Sequence, residues 1–189
     1  STWSGKLVSR LVWGLDRSGV RRYVTLALRA AHEGFAGRLL EVPVGTGCLS
    51  LPVYAELPEA DITCLDYAPA MLAAARARAE ALGIRNVTFT EGDVGHLTFD
   101  DAAFDAAVSI NGFHAFPDKE AAWSEVHRVL RPGGRLTGSV FVLGENARTD
   151  FVVTQLYTRM GFFTPPYETR ERLTERLRAL YAEVSVECV

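Results

Sequence analysis

What most constrains this chain is a rhythm in which short, largely apolar runs alternate with stretches of helical periodicity. The runs occupy residues 38–42, 61–65, 86–91, 104–110, 135–142 and 183–189. The middle ones carry almost no polar residue, as strands covered on both faces do. Between them, residues 69–82 open on Pro69, are rich in alanine and stop at Gly83. Asp118 stands where an N-cap belongs, ahead of a stripe of Trp123, Val126 and Leu130, and Pro132-Gly133-Gly134 closes that segment. Two further helical patterns, about 149–160 and 168–181, separate the fifth run from the sixth, and two amphipathic segments, 6–13 and 20–32, precede the first. The alternation predicts an α/β fold, a doubly wound and mostly parallel sheet with helices on both faces.

A chain of 189 residues suits one domain with a substantial core, here 1–189, and is short for two. A net charge of -3 and a pI near 5.8 argue against a general nucleic-acid binder, which needs clustered positive charge. The arginines at 76, 78, 170, 172, 176 and 178 alternate with Glu80, Glu171 and Glu175 and are expected to be solvated helix faces. Cys48, Cys64 and Cys188 are odd in number and far apart, so neither a metal site nor a disulfide framework is expected. There is no secretory pattern at the start and no apolar run of membrane-spanning length. A cytoplasmic location is therefore the expectation.

In doubly wound sheets, ligands sit beyond the carboxyl ends of the strands. The first run ends there in LLEVPVGTG, residues 39–47, where Gly45 and Gly47 allow close backbone approach to a ligand. Pro43 holds what would be the first glycine position, and proline supplies neither an N–H nor positive φ. Asp66, 21 residues beyond Gly45, ends the second run, and Asp93 ends the third. An acid at about that distance suits a pair of ribose hydroxyls. Glu41, beside the loop, disfavours a pyrophosphate, and Ser50 stands where a dinucleotide loop wants its third glycine. Three acids at successive strand ends thus fit a cationic, phosphate-free adenosine compound better than a dinucleotide.

With these residues in view, the chain resembles the class I S-adenosylmethionine-dependent methyltransferases over about residues 35–143. LLEVPVGTG looks like their first motif, LDYAPAML the second, EGDV the third, FDAAVSINGFHAF the fourth strand with its exit loop, and HRVLRPGGRL the turn before the fifth. The resemblance implies a Rossmann-like sheet of order 3-2-1-4-5-7-6. It also implies S-adenosylmethionine as cofactor, S-adenosylhomocysteine as product, and no metal. By position it implies that Glu41, Pro43, Gly45 and Gly47 lie around the methionine part and that Asp66 holds the ribose. Tyr67 then lies beside the adenine, Met71 is a cofactor-binding residue at the start of the following helix, Asp93 and Val94 lie at the adenine edge, and Asn111 near the carboxylate or sulfonium. The last run leaves no residues for a seventh strand, and a chain cut short before it is the expectation.

The exit of the fourth strand reads NGFH, unlike the N/D-P-P-Y/F motif of enzymes directed at adenine in DNA. The resemblance is strongest to the branch acting on quinones, sterols and similar metabolites, so a small-molecule acceptor is expected. His114 is the candidate general base, while His32, His96 and His127 are expected on surfaces or in remote packing. The acceptor is expected to meet the helical amino-terminal lid, 1–35, and the insertion at 144–182. Trp3, Trp13, Tyr23, Phe113, Phe116, Phe162, Phe163 and Tyr167 are candidate lining residues. Two other readings stay open. One is a non-catalytic binder of the same cofactor. The other is an NAD(P)-dependent oxidoreductase, although a Tyr-x-x-x-Lys pair is missing.

Overall fold

A computed structural model describes residues 17–188. The expected segment at 6–13, with Trp3 and Trp13, lies outside the described residues. The chain forms two compact units, one continuous from Leu26 to Val140 and one drawing on both ends, through Thr25 and from Phe141 onward.

The continuous unit holds the whole sheet. Its strands are β1 (Arg38–Glu41), β2 (Asp61–Asp66), β3 (Val87–Glu91), β4 (Phe104–Ile110) and β5 (Leu130–Ser139). They lie in the order β3-β2-β1-β4-β5 and every pairing is parallel. The apolar runs behave as their composition dictates. Leu39, Leu40, Ile62, Ala107 and Val108 are wholly buried, because helices cover both faces. Those helices are α2 (Leu51–Tyr54), α3 (Pro69–Ala81) and α4 (Lys119–Val129). The helix α1 (Arg17–Ala27) precedes β1, and its last carbonyl, on Ala27, accepts from the Thr137 hydroxyl at 3.0 Å. Asp118 caps α4 by accepting from the Ala121 N–H at 2.9 Å, and Trp123 and Val126 of its stripe are buried.

Two features of the sheet depart from the expected pattern. The fifth strand begins earlier, at Leu130, which pairs with Phe104. The pairing then jumps to Ala106 with Arg135, so Arg131–Gly134 bulge out of the ladder. The expected sixth strand is not formed among the described residues. Its alternation is real, with Val184 and Val186 half-buried between exposed Glu183, Ser185 and Glu187. That pattern is satisfied by packing alone, and no backbone ladder pairs with it.

The second unit contains α5 (Ala147–Val152), a π turn (Val153–Tyr157) and α6 (Arg170–Leu180). Phe141, Val153 and Phe163 form its small core, with Leu143, Tyr157 and Tyr167 packed around them.

Candidate functional site

The order β3-β2-β1-β4-β5 reverses direction between β1 and β4, and the crevice at that point is where such sheets take ligands. The loop leaving β1 is stitched to both neighbouring strands. Val42 N–H donates to the Val108 carbonyl on β4, and Val44 N–H to the Leu65 carbonyl on β2, each at 2.9 Å. Pro43, preceded by a cis peptide bond, gives up a donor that this stitching does not need. Its ring meets Gly112, where an added Cβ would lie 2.5 Å from Pro43 Cδ and 2.8 Å from Phe116. The loops after β1 and β4 are therefore in van der Waals contact, with no space for a side chain between them.

Gly45 and Gly47 both have positive φ, +55° and +62°, but serve different ends. A Cβ on Gly47 would collide with Leu51, so this glycine lets α2 pack close. A Cβ on Gly45 would meet nothing within 4 Å, so its face is open to a ligand. The Gly45 N–H donates to Asp66 Oδ2 at 2.7 Å, and the Ala68 N–H to Asp66 Oδ1 at 2.9 Å. Asp66 thus clamps the glycine loop to the start of α3 while holding unused lone pairs on both oxygens. Beside it, Tyr67 is 77% exposed and Met71 41% exposed, an apolar shelf next to a buried carboxylate.

Glu41 lies beneath the loop and is 1% exposed. Burial pushes its carboxyl up to about 8, opposed by hydrogen bonding with Ser50, Cys64 and Tyr54 and assisted by the Asp66 charge. Cys64 Sγ donates to Glu41 Oε2 at 3.5 Å, and the Tyr54 hydroxyl lies against the same carboxyl without a well-formed hydrogen bond. Burial thus favours the neutral acid at Glu41, which ties β1, β2 and α2 together under the loop.

Asp93 caps the single 3-10 turn Val94–His96, accepting from the Gly95 N–H at 2.8 Å, and Val94 is buried in that turn. His96, expected to be a surface or packing residue, is exposed, with Nδ1 3.6 Å from Asp93 Oδ2. At the end of β4, Asn111 adopts φ +57°. Its N–H donates to the Ser139 carbonyl at 2.9 Å, which joins the ends of β4 and β5. His114 is buried, and burial together with nearby Lys119 lowers its pKa to about 4. Phe113 stacks on Trp123 with centroids 3.4 Å apart and Phe163 joins the core of the second unit, so both are packing residues. Phe116 and Tyr167 are half-buried, whereas Phe162 is exposed.

Two arginines of α3 correct the expectation of a merely solvated face. Arg78 Nε donates to the Thr46 carbonyl at 3.0 Å, bracing the glycine loop from outside, and Arg76 Nη2 donates to the Phe89 carbonyl at 2.7 Å. Neither Arg78 nor Gly112 carries a signal in the sequence. Both matter through neighbours that only the folded sheet supplies.

A parallel sheet reversing between β1 and β4, a glycine loop clamped by the acid ending β2, and an apolar shelf beside that acid define a nucleoside-cofactor domain of the Rossmann-like kind. Residues 39–134 match the methyltransferase domain family, and the chain belongs to it. The chain is similar to a demethylmenaquinone methyltransferase of Thermus thermophilus, 45% identical over 69% of this chain and 57% of that protein. Among solved structures, the YcgJ protein of Bacillus subtilis shares the fold at a TM-score of 0.71 and 23% identity. That match covers 84% of this chain and 67% of the other. A phosphoethanolamine N-methyltransferase of Haemonchus contortus, solved with S-adenosylhomocysteine, matches at 0.71 and 19% identity over 94% of this chain and 41% of its own. The chain spans about half the length of the curated relatives it matches.

Proposed function

We propose that this chain carries the S-adenosylmethionine-dependent catalytic domain of a methyltransferase whose acceptor is a small, ring-bearing molecule of the reduced-quinone type. The observation that carries this reading is the Asp66 clamp beside the open face of Gly45. Its donor set suits a phosphate-free adenosine cofactor. A carboxylate with spare lone pairs is available to two ribose hydroxyls, an exposed tyrosine and methionine to adenine, and Asp66 and Asp93 are acids with no positive charge to offer a pyrophosphate. The quinone class rests on the likeness to the Thermus enzyme. Three free cysteines, Cys48, Cys64 and Cys188, suit a reducing, cytoplasmic setting.

When bound, the cofactor supplies a sulfonium methyl, whose C–S bond breaks as the acceptor's carbon or heteroatom bonds to the methyl carbon. The protein's part is positioning, worth up to about 7–11 kcal/mol when reactants are aligned. Asp66 and Asp93 fix the adenosine end, Gly45 lets it approach the backbone, and Asn111 stands at the methyl-bearing end. His114 is the candidate to take the acceptor's proton. With a pKa of about 4 it is already neutral at pH 7, ready to accept, but it is a weak base and holds a proton only in passing.

Calorimetric titration with S-adenosylhomocysteine is expected to show binding that Asp66→Ala weakens about 100-fold, on the scale of two lost charge-assisted hydrogen bonds. Titration with NADH is expected to show none. Incubation with S-adenosylmethionine and reduced naphthoquinones, read by mass spectrometry, is expected to add one methylene unit. Binding without any such gain across an acceptor screen would turn the reading to a non-catalytic cofactor binder.

A further inference from the structure

The second unit carries an apolar face that is exposed among the described residues. Phe151, Leu156, Met160 and Phe162 are 68, 51, 54 and 57% exposed. The backbone brings three of them into line. The π turn Val153–Tyr157, closed by Thr158 N–H donating to the Val153 carbonyl at 2.9 Å, aligns residues five apart, so Leu156 follows Phe151. Met160 N–H donates to the Leu156 carbonyl at 3.0 Å, restoring the four-residue step and placing Met160 next. The opposite side of the same segment holds Val153 and Tyr157 in the core with Phe141 and Phe163. The segment is thus apolar on both sides, a composition that calls for a second cover.

The side-chain charges of this segment that are not engaged elsewhere are basic. Arg148 and Arg159 are exposed and enter no ion pair among the described residues. No acid occurs between 151 and 167. The nearest acids are engaged elsewhere, Asp150 accepting from the Gly144 N–H at 3.0 Å, Glu145 from the Cys188 thiol at 3.3 Å and Glu168 from Arg176 Nε at 2.8 Å. An isologous second copy would bring two more arginines against these two, a like-charge contact. Apolar anchors rimmed by arginine are instead what an anionic bilayer surface accepts.

We propose that this face docks on an anionic lipid surface, with the four apolar side chains in the headgroup–acyl boundary and Arg148 and Arg159 against lipid phosphates. The choice of a bilayer rests in part on the quinone-type acceptor proposed above. The observation of a bare apolar face does not.

Co-sedimentation of the full chain with phosphatidylcholine vesicles, with and without phosphatidylglycerol, at low and high salt, tests this. The chain is expected to pellet with anionic vesicles and to be released by salt. Arg148→Gln with Arg159→Gln is expected to cut partitioning roughly 25-fold, about fivefold per arginine, and to remove most of the salt dependence. Phe151→Ser with Phe162→Ser is expected to lower partitioning at least about tenfold on both vesicle types, while S-adenosylhomocysteine still binds as before. A wild-type chain that stays in the supernatant would overturn the proposal. So would a serine pair that pellets like the wild type, or a solution dimer that Phe151→Ser splits. Vesicle binding without methyl transfer would leave docking standing and sink the quinone reading, and the reverse result would do the opposite.

Discussion

The groups acting on Glu41 are Ser50, Cys64, Tyr54 and the Asp66 charge, none of them cationic, and this sets how stability answers to pH. Its folded pKa, about 8, lies above the ordinary 4.5. Folding therefore takes up a proton between those values, and stability falls as pH rises through that window. His114 acts in the opposite direction. Its folded pKa of about 4 lies below 6.5, so its contribution is complete above 6.5 and is lost as pH falls toward 4. The two overlap below 6.5, and from 6.5 to 8 Glu41 acts without His114. Urea denaturation across that interval is expected to show stability falling by up to about 1.4 kcal/mol per pH unit. Glu41→Gln, neutral at every pH, is expected to flatten that slope, and an unchanged slope would show that Glu41 is ionised in the fold. The two loop glycines separate in a similar way. Gly45→Ala is expected to cost about 1–2 kcal/mol for its left-handed φ and to weaken cofactor binding. Gly47→Ala adds a collision with Leu51 and is expected to cost about 3 kcal/mol or more, visible as a lower melting temperature without any ligand present.

Among the elements, α4 is tied to the β3–β4 connection by two side chains, Glu125, whose Oε2 accepts from the Leu97 N–H at 2.8 Å, and Arg128. Arg128 uses all five donors: Nε and Nη2 on Glu125, Nη2 on the Leu97 carbonyl, Nη1 on the Phe99 carbonyl and on Asp101. Arg128→Ala is expected to cost about 2–3 kcal/mol, read by chemical denaturation, and Arg128→Lys is expected to recover little because a point charge cannot span this fan of acceptors. Periodicity alone located β1, β2 and β4 to within a residue or so, because in β1 and β2 a buried apolar interior is bounded by charged residues, Arg38 and Glu41 in one and Asp61 and Asp66 in the other. The start of β5 was hidden, since Arg131–Gly134 read as a terminating turn although they are a bulge inside the strand. The stretch at 183–187 misled in the opposite direction, showing a strand's alternation without a strand's partner. Asp66 and Gly45 were legible through their spacing along the chain. The Pro43–Gly112 contact was not, because it exists only where the loops after β1 and β4 emerge side by side. Arg78 was equally hidden, since helical spacing says nothing of the carbonyl a solvent-facing arginine will find.

For the molecule as a whole, a cofactor that binds only the folded state raises stability by mass action. At 100 times its dissociation constant, S-adenosylhomocysteine is expected to add about 2.7 kcal/mol. For a chain of this size that raises the melting temperature by roughly 5–10 °C, measurable by scanning fluorimetry. Asp66→Ala is expected to remove that increment at the same ligand concentration. The division of the chain has a further consequence, in time. All five strands lie in one uninterrupted stretch that is complete once Val140 has been made. At typical rates of about 5–20 residues per second, the stretch from Phe141 to Phe163 takes roughly 1–5 s more to make, long enough for the sheet to close first. The cofactor crevice can therefore take shape during synthesis, before the aromatic core around Phe141 and Phe163 has left the ribosome.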